Sequence, residues 1–422
     1  MAPTGTVEEA ENVVEPMFTN NVLHIDLVCD VIFSCCNPIS LLRVALTCRQ
    51  ARAAISSYMH YAFNINRHLM RFFPDPCAFR SLQARTGTII SGSMALQFFD
   101  RSFYPSSDLD LYTHMCHRRE VGEWLIKSGY KFAPTRRQQP TFEQSIDDLG
   151  LRASNVYGLP GVCCIFDFTK RIAGRQELKV QLIVALHNPI EVILGFHSTC
   201  VMNAISFEKA YCLFPRATLE ERHSLISSTQ AGASRWRAQG IAKYRKRGWR
   251  MHYKLPISED QRNRLFGCGW RWIDDEKSWV IPLDTTGIEP PPSANLSSLP
   301  MQHDPISLSN WKILYNKGSG AIMLFTSMKD ELLRYEYMLT DRDLQLYINQ
   351  VLSMKKREEQ CKKQLLLDSE DSTLCDEQMA ELVQVWMLAQ REEVASSGPP
   401  AAGVYSNHLP RLGLPTVQCS IA

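Results

Sequence analysis

Asp108 and Asp110 stand two apart in the run Asp108-Leu109-Asp110-Leu111-Tyr112, which alternates polar and apolar residues. In a strand, residues two apart share a face, so both carboxylates project together while Leu109 and Leu111 turn to a core. Paired carboxylate oxygens of this kind share divalent cations such as Mg2+, as phosphoryl-transfer chemistry requires. Just upstream, Thr88 to Ile90 read as a short apolar strand, Gly92-Ser93 as its turn, and Met94 to Phe99 as the first turns of a helix. Backbone N–H groups converge at such a turn, where a phosphate can sit. Together the two motifs describe a metal–nucleotide site. Gly92 and Ser93 would cradle a nucleoside triphosphate, and Asp108 and Asp110 would bind the metal. The bland alternative is a surface loop that its two aspartates merely solvate.

An apolar strand, Gly-Ser, a helix and then Asp-x-Asp on the next strand is an order that resembles the nucleotidyltransferase superfamily named after DNA polymerase beta. Gly92, Ser93, Asp108 and Asp110 match it, and the likeness covers residues 76 to about 250. It implies a third carboxylate on a later strand, which helps bind one metal and takes the proton from the attacking hydroxyl. Residues 161 to 186 read as two β-rich runs joined by a turn around Ala173-Gly174. In the second run, Leu178-Lys179-Val180-Gln181-Leu182-Ile183, Gln181 stands where the family places Asp. A neutral amide is no useful base. Asp167 on the partner run and Glu177 nearby are the substitutes on offer, at spacings that do not match the family. Further on, residues 235 to 250 carry seven Lys or Arg and no acid. They include Lys243 and Arg247-Gly248, similar to a Lys-x-x-x-Arg-Gly element whose cations face the triphosphate in this family. On a helix those two share a face. A solvated basic face, or a nucleic-acid contact through Trp236, Tyr244 and Trp249, are the other readings. His197 and Cys200, three apart with no second pair at ligand spacing, read as core residues.

The amino-terminal run from Val22 to Arg52 places apolar residues at helical spacing: Leu27, Val31 and Ile32, then Pro38, then Leu41, Leu42, Val44, Ala45 and Leu46. Proline suits the start of a second helix. Asp30-Val31-Ile32-Phe33, Asn37-Pro38 and Leu41 to Arg49 resemble an F-box, a three-helix module. That likeness implies docking onto the Skp-type adaptor of a cullin ubiquitin ligase, with Ile32, Leu41 and Leu42 on an exposed apolar face. The chain departs from the pattern at His24-Ile25-Asp26, where Leu-Pro is usual, and at Ser40, where an acid is usual. A helical cap on the next domain is the competing reading.

The remaining elements must support these sites. With 422 residues, 45% of them apolar, the chain suffices for two or three domains, and its net charge of +2 exerts no bulk pull on nucleic acid or membrane. Fourteen scattered Cys, an acidic start without an apolar signal core and no run of eighteen apolar residues predict an intracellular protein, cytoplasmic or nuclear, with no membrane span. The predicted class is α+β: a nucleotidyltransferase-like mixed sheet with flanking helices, an N-terminal F-box-like module and C-terminal helices. The boundaries are a disordered tail over 1–17, the F-box-like module over 18–75, the nucleotidyltransferase-like domain over 76–250 and a small β-containing appendage over 251–284. A Pro/Ser linker over 285–309, a helical region over 310–395 and a disordered tail over 396–422 complete the chain. Two functions follow: metal-dependent transfer of a nucleotide to an unknown acceptor, or a catalytically lapsed domain serving as substrate receptor of a cullin ubiquitin ligase. Gln181 separates them.

Overall fold

The computed structural model describes residues 22–149, 161–174, 176–227, 235–255, 265–289, 304–316, 320–364 and 375–396. Apart from Ser396, both predicted tails fall outside these ranges. The chain divides into two compact units between Asn64 and Ile65.

The first unit contains three helices, α1 (Asp26–Cys35), α2 (Pro38–Ala45) and α3 (Arg49–Ala62). Asn37 caps α2 by accepting from the Ser40 N–H at 2.8 Å, and Pro38 occupies the first turn, where its missing N–H costs nothing. Leu23, Cys29, Phe33, Leu41, Ala51, Ile55 and Tyr58 form the core, with Phe33 edge-on to Tyr58. Leu41 is fully buried here, and Ile32 and Leu42 are partly covered. The predicted exposed face therefore has a different membership: among the described residues of this unit, Ile25, Leu27, Val28, Val31, Leu46 and Tyr61 are the large apolar side chains left in solvent. The helical period was right, but its phase was not. Leu41 lies on the inner side of α2, where it meets α1 and α3.

The second unit is α+β, with a mixed sheet flanked by helices. In chain order it begins with α4 (Ile65–Leu69), α5 (Pro76–Thr86), β1 (Ile89–Ser91), α6 (Gly92–Asp100) and β2 (Leu109–Thr113). There follow α7 (Arg118–Lys127), β3 (Lys131–Phe132), α8 (Phe142–Leu149), β4 (Val162–Lys170), β5 (Leu178–Ala185), α9 (Pro189–Leu194), β6 (Asn203–Ile205) and β7 (Lys209–Cys212). Next come β8 (His223–Leu225), α10 (Arg235–Lys246), β9 (Arg250–His252), β10 (Gly269–Trp272) and β11 (Trp279–Pro282). The last elements are β12 (Asn310–Asn316), β13 (Gly320–Leu324), β14 (Ser327–Met328), β15 (Tyr337–Met338), α11 (Arg342–Gln364) and α12 (Asp376–Ser396).

The main sheet has eight strands in the order β11-β7-β6-β1-β2-β5-β4-β3. Only β2 and β5 pair in parallel; every other neighbour is antiparallel. The alternation in β2 works as expected, because Leu109 and Leu111 are fully buried while Asp110 on the other face is half-buried. Asp108 lies one residue before the strand.

Three regional expectations change. The segment read as an appendage is integrated: β11 completes the edge of the main sheet against β7, and Trp279 packs on Phe99. Of the Pro/Ser linker, residues 290–303 lie outside the described ranges, but its flanks are anchored. The Glu289 N–H bonds to the Ser81 hydroxyl at 3.0 Å, and Asp304 is buried, accepting from the Tyr211 hydroxyl at 3.2 Å. The helical region begins with strands, since β10, β12 and β13 form a separate three-stranded sheet and β14 pairs with β15. Helices α11 and α12 then bury Leu344, Ile348, Leu352, Met379 and Val383 in one cluster with Tyr335 and Tyr337. Among the described residues, no helix is long and apolar enough to cross a membrane.

Candidate functional site

Strand pairing brings the predicted carboxylates to one corner. Ser91, the last residue of β1, lies opposite Asp110, so the following Gly92 turns directly over that side chain. Gly92 has φ +68°, a backbone that glycine adopts without strain, and a Cβ built there would lie 2.5 Å from Asp110 Oδ2. The missing side chain is therefore a geometric requirement of the site. Helix α6 opens at this point, with Gly92 and Ser93 in its first turn and no capping bond from the side chain of its N-cap Ser91, whose hydroxyl donates instead to the Asn203 carbonyl at 2.5 Å.

One row of the sheet carries the rest. Asp110 is in register with Gln181 on β5, and Gln181 with Asp167 on β4. Residues in register on adjacent strands share a face. Asp167, from the partner run, thus stands one strand beyond the position that the sequence spacing assigned to a third carboxylate. The Gln181 Nε2 donates to Asp167 Oδ1 at 2.7 Å. Lys179, two residues before Gln181 and so on the same face, places its ammonium 3.4 Å from Asp167 Oδ1 and 3.9 Å from Asp108 Oδ2. Glu177 does not join this group; it pairs with the exposed Arg171 at 2.7 Å.

Lys243 and Arg247 arrive on and just beyond α10. The chain turns off the helix at Gly248, with φ +101°, and the Trp249 N–H bonds back to the Tyr244 carbonyl. Tyr244 and Trp249 are buried, the latter donating from Nε1 to the Thr218 carbonyl at 3.0 Å. They peg the helix down and are not free to stack on bases, which removes two of the three aromatic residues from the nucleic-acid reading; the Trp236 side chain lies outside the described residues. Gly240 lets α10 approach His197, whose Nε2 would lie 2.5 Å from a Cβ there. His197 and Cys200 are core groups: burial pushes the His197 imidazole down to about 4 and the Cys200 thiol up to about 11. The Arg247 guanidinium stacks over the Tyr104 ring at 3.6 Å. Its Nη1 is buried without a hydrogen-bond acceptor among the described residues, as expected of a donor held for an anion.

Two positioning residues carried no sequence signal. Arg71 donates to the carbonyls of Tyr104 and Ser107 at 3.2 Å and to that of Pro105, fixing the loop that delivers Asp108. The Gln97 side chain joins the same loop to α6, accepting from the Tyr104 N–H at 2.6 Å and donating to the Ser93 carbonyl at 3.0 Å. Arg71 lies far from the motifs in sequence, and only the tertiary fold reveals its role.

The electrostatics mark Asp110 as the strained charge. Burial first, and then the neighbouring Asp108, raise its carboxyl to about 7. Asp110 retains some exposed area, but its oxygens lie beneath the Gly92 turn, and desolvation dominates. Asp108 is also raised by burial, with Lys179 and then Lys243 pulling it back. Burial and then Arg247 lower the Lys243 ammonium, while Asp110 and Asp108 oppose that shift. The two lysines and the two aspartates are thus close enough to feel one another.

Asp108 and Asp110 offer an anionic pair suited to one Mg2+ in chemical type. Among the described residues, no group of three or more His, Cys, Asp or Glu is arranged to hold a metal. Asp167 Oδ1 already takes the Gln181 amide and the Lys179 ammonium. A separate groove lined by Leu82, Cys116, Trp124 and several charged side chains lies at α5 and α7 and contains none of these residues. In comparison with known proteins, no family model, no curated protein and no solved structure matches the chain, so the case for the site rests on its own geometry.

Proposed function

We propose that the second unit has a nucleotidyltransferase-type fold that binds a nucleoside triphosphate with a divalent cation and passes a nucleotide to a hydroxyl or phosphate acceptor, breaking the α–β phosphoanhydride and releasing pyrophosphate. The observation that carries this reading is the corner where Gly92 turns over Asp110 at the open start of α6, with Lys243 near enough to act on both aspartates.

The first-turn N–H groups of α6 would orient a phosphate, since a helix N-terminus supplies donors and a favourable dipole. Lys243 and Arg247 would neutralise the remaining phosphate charge, with the Tyr104 ring holding the Arg247 plane. Asp108 and Asp110 would hold one Mg2+, which when bound supplies charge stabilisation for the transferring phosphoryl group. Gln181 cannot accept a proton at neutral pH, so Asp167, in register beside it, would receive the acceptor's proton.

A second reading has its own support. Lys179 and Gln181 both occupy Asp167, and a domain so arranged could keep nucleotide binding while turning over slowly or not at all. The exposed Ile25, Leu27, Val28, Val31 and Leu46 in the first unit would then dock a Skp-type adaptor and make the chain a substrate receptor.

Titration of the full chain with a fluorescent ATP analogue, in Mg2+ and in EDTA, separates the readings. The enzyme reading expects Mg2+-dependent binding that weakens in Asp110→Asn and Lys243→Ala, together with transfer that Asp167→Asn abolishes. Binding without transfer, combined with capture of purified adaptor that Leu27→Ser prevents, supports the receptor. No nucleotide binding at millimolar concentration defeats both accounts of the corner.

A further inference from the structure

We infer that Lys179 is a resident cation of the carboxylate row, taking the place between Asp108 and Asp167 where a second divalent ion would otherwise sit, so that the site accepts no more than one metal. This deepens the reading above and rests on it for the identity of the site, although its test uses no nucleotide.

Three observations converge. The Lys179 ammonium bridges the two carboxylates that flank the row, at 3.4 Å from Asp167 and 3.9 Å from Asp108. Its position is set by the strand: Lys179 lies two residues before Gln181 on β5, so the alternation that aims Gln181 at the row aims Lys179 there too. The Gln181 amide then fills Asp167 Oδ1 with a 2.7 Å N–H bond. An oxygen already accepting from an ammonium and an amide is a poor ligand for a second cation. A fixed positive charge a few ångströms away also repels a dication in a partly desolvated corner. Of the three carboxylates, Asp110 is the one that forms no ion pair among the described residues, and it faces Gly92. A lysine that supplies one charge permanently and leaves the other to a metal would lower the dependence of phosphate binding on free divalent ion. The polyphosphate would then meet three cationic side chains, Lys179, Lys243 and Arg247.

Mn2+ alone, titrated into the full chain and followed by the loss of its free electron-paramagnetic signal, reads this directly. The wild type is expected to bind no more than one Mn2+, and Lys179→Met to bind a further ion or the same ion about tenfold tighter. Lys179→Arg should behave as wild type, which controls for folding and retains the charge. Two Mn2+ on the wild type, or unchanged stoichiometry and affinity in Lys179→Met, would each overturn the inference. A chain that binds Mn2+ as described and yet ignores nucleotide would leave this inference standing and remove the nucleotide reading.

Discussion

Replacing Asp110 by Asn should stabilise the protein at neutral and alkaline pH, because the fold holds this carboxylate at a cost. Burial and Asp108 raise the Asp110 carboxyl to about 7 from an ordinary value of 3.8. Between those values the folded chain binds more protons than the unfolded chain, so stability falls as pH rises, and the whole cost is present above about pH 7. At 1.36 kcal/mol per unit, the difference is worth about 4 kcal/mol at pH 8, shrinking to about 2 kcal/mol at pH 5 and under about 1 kcal/mol at pH 4. The amide has nearly the shape of the carboxylate and no charge, so Asp110→Asn should recover most of that difference. Urea unfolding of wild type and variant in EDTA, at these three pH values, measures it. The reasoning is refuted if the variant is no more stable than wild type at pH 8, or if its advantage grows as pH falls. A charge retained at such expense fits a ligand-binding role, where stability is commonly given up for function.

Gly92→Ala should both destabilise and disarm the corner. A non-glycine residue at φ +68° costs about 1–2 kcal/mol, and the new methyl would displace the Asp110 carboxylate, weakening Mg2+–nucleotide binding by about a hundredfold; unaltered binding in a nucleotide titration would remove Gly92 from the site. His114 is buried, and desolvation lowers its imidazole to about 3. The unfolded chain therefore gains a proton below about 6.5 that the folded chain refuses, and about 3 kcal/mol should be lost between pH 7 and pH 4; His114→Gln should flatten that acid limb in denaturation experiments, and an unchanged slope would count against it. In the first unit, Leu41→Ala should cost about 2–5 kcal/mol, since Leu41 is fully buried, whereas Leu27→Ser, at 80% exposure, should leave the melting temperature within a degree or so and change only partner binding.

The sequence by itself determined the local geometry. Asp-x-Asp alternation set which side of β2 is polar, glycine at position 92 marked the turn that no other residue would adopt without strain, and Asn37-Pro38 began a capped helix. These are short-range effects: strand pleat, left-handed backbone and helix capping act over a few residues and leave a signature in that window. The class α+β was legible for the same reason. What crossed between strands was not. That Asp167 on β4 comes into line with Asp110 through Gln181 depends on the order β2-β5-β4, a consequence of long-range pairing. Lys179 was an unremarked lysine until the register brought it between two aspartates, and Arg71 gained its role only when its guanidinium reached the carbonyls before Asp108. The helical stripe of the first unit likewise left open which side would meet solvent, because periodicity gives the angular spread of apolar residues but not the direction from which neighbouring helices approach. Only tertiary packing made Leu41 core and Leu27 surface.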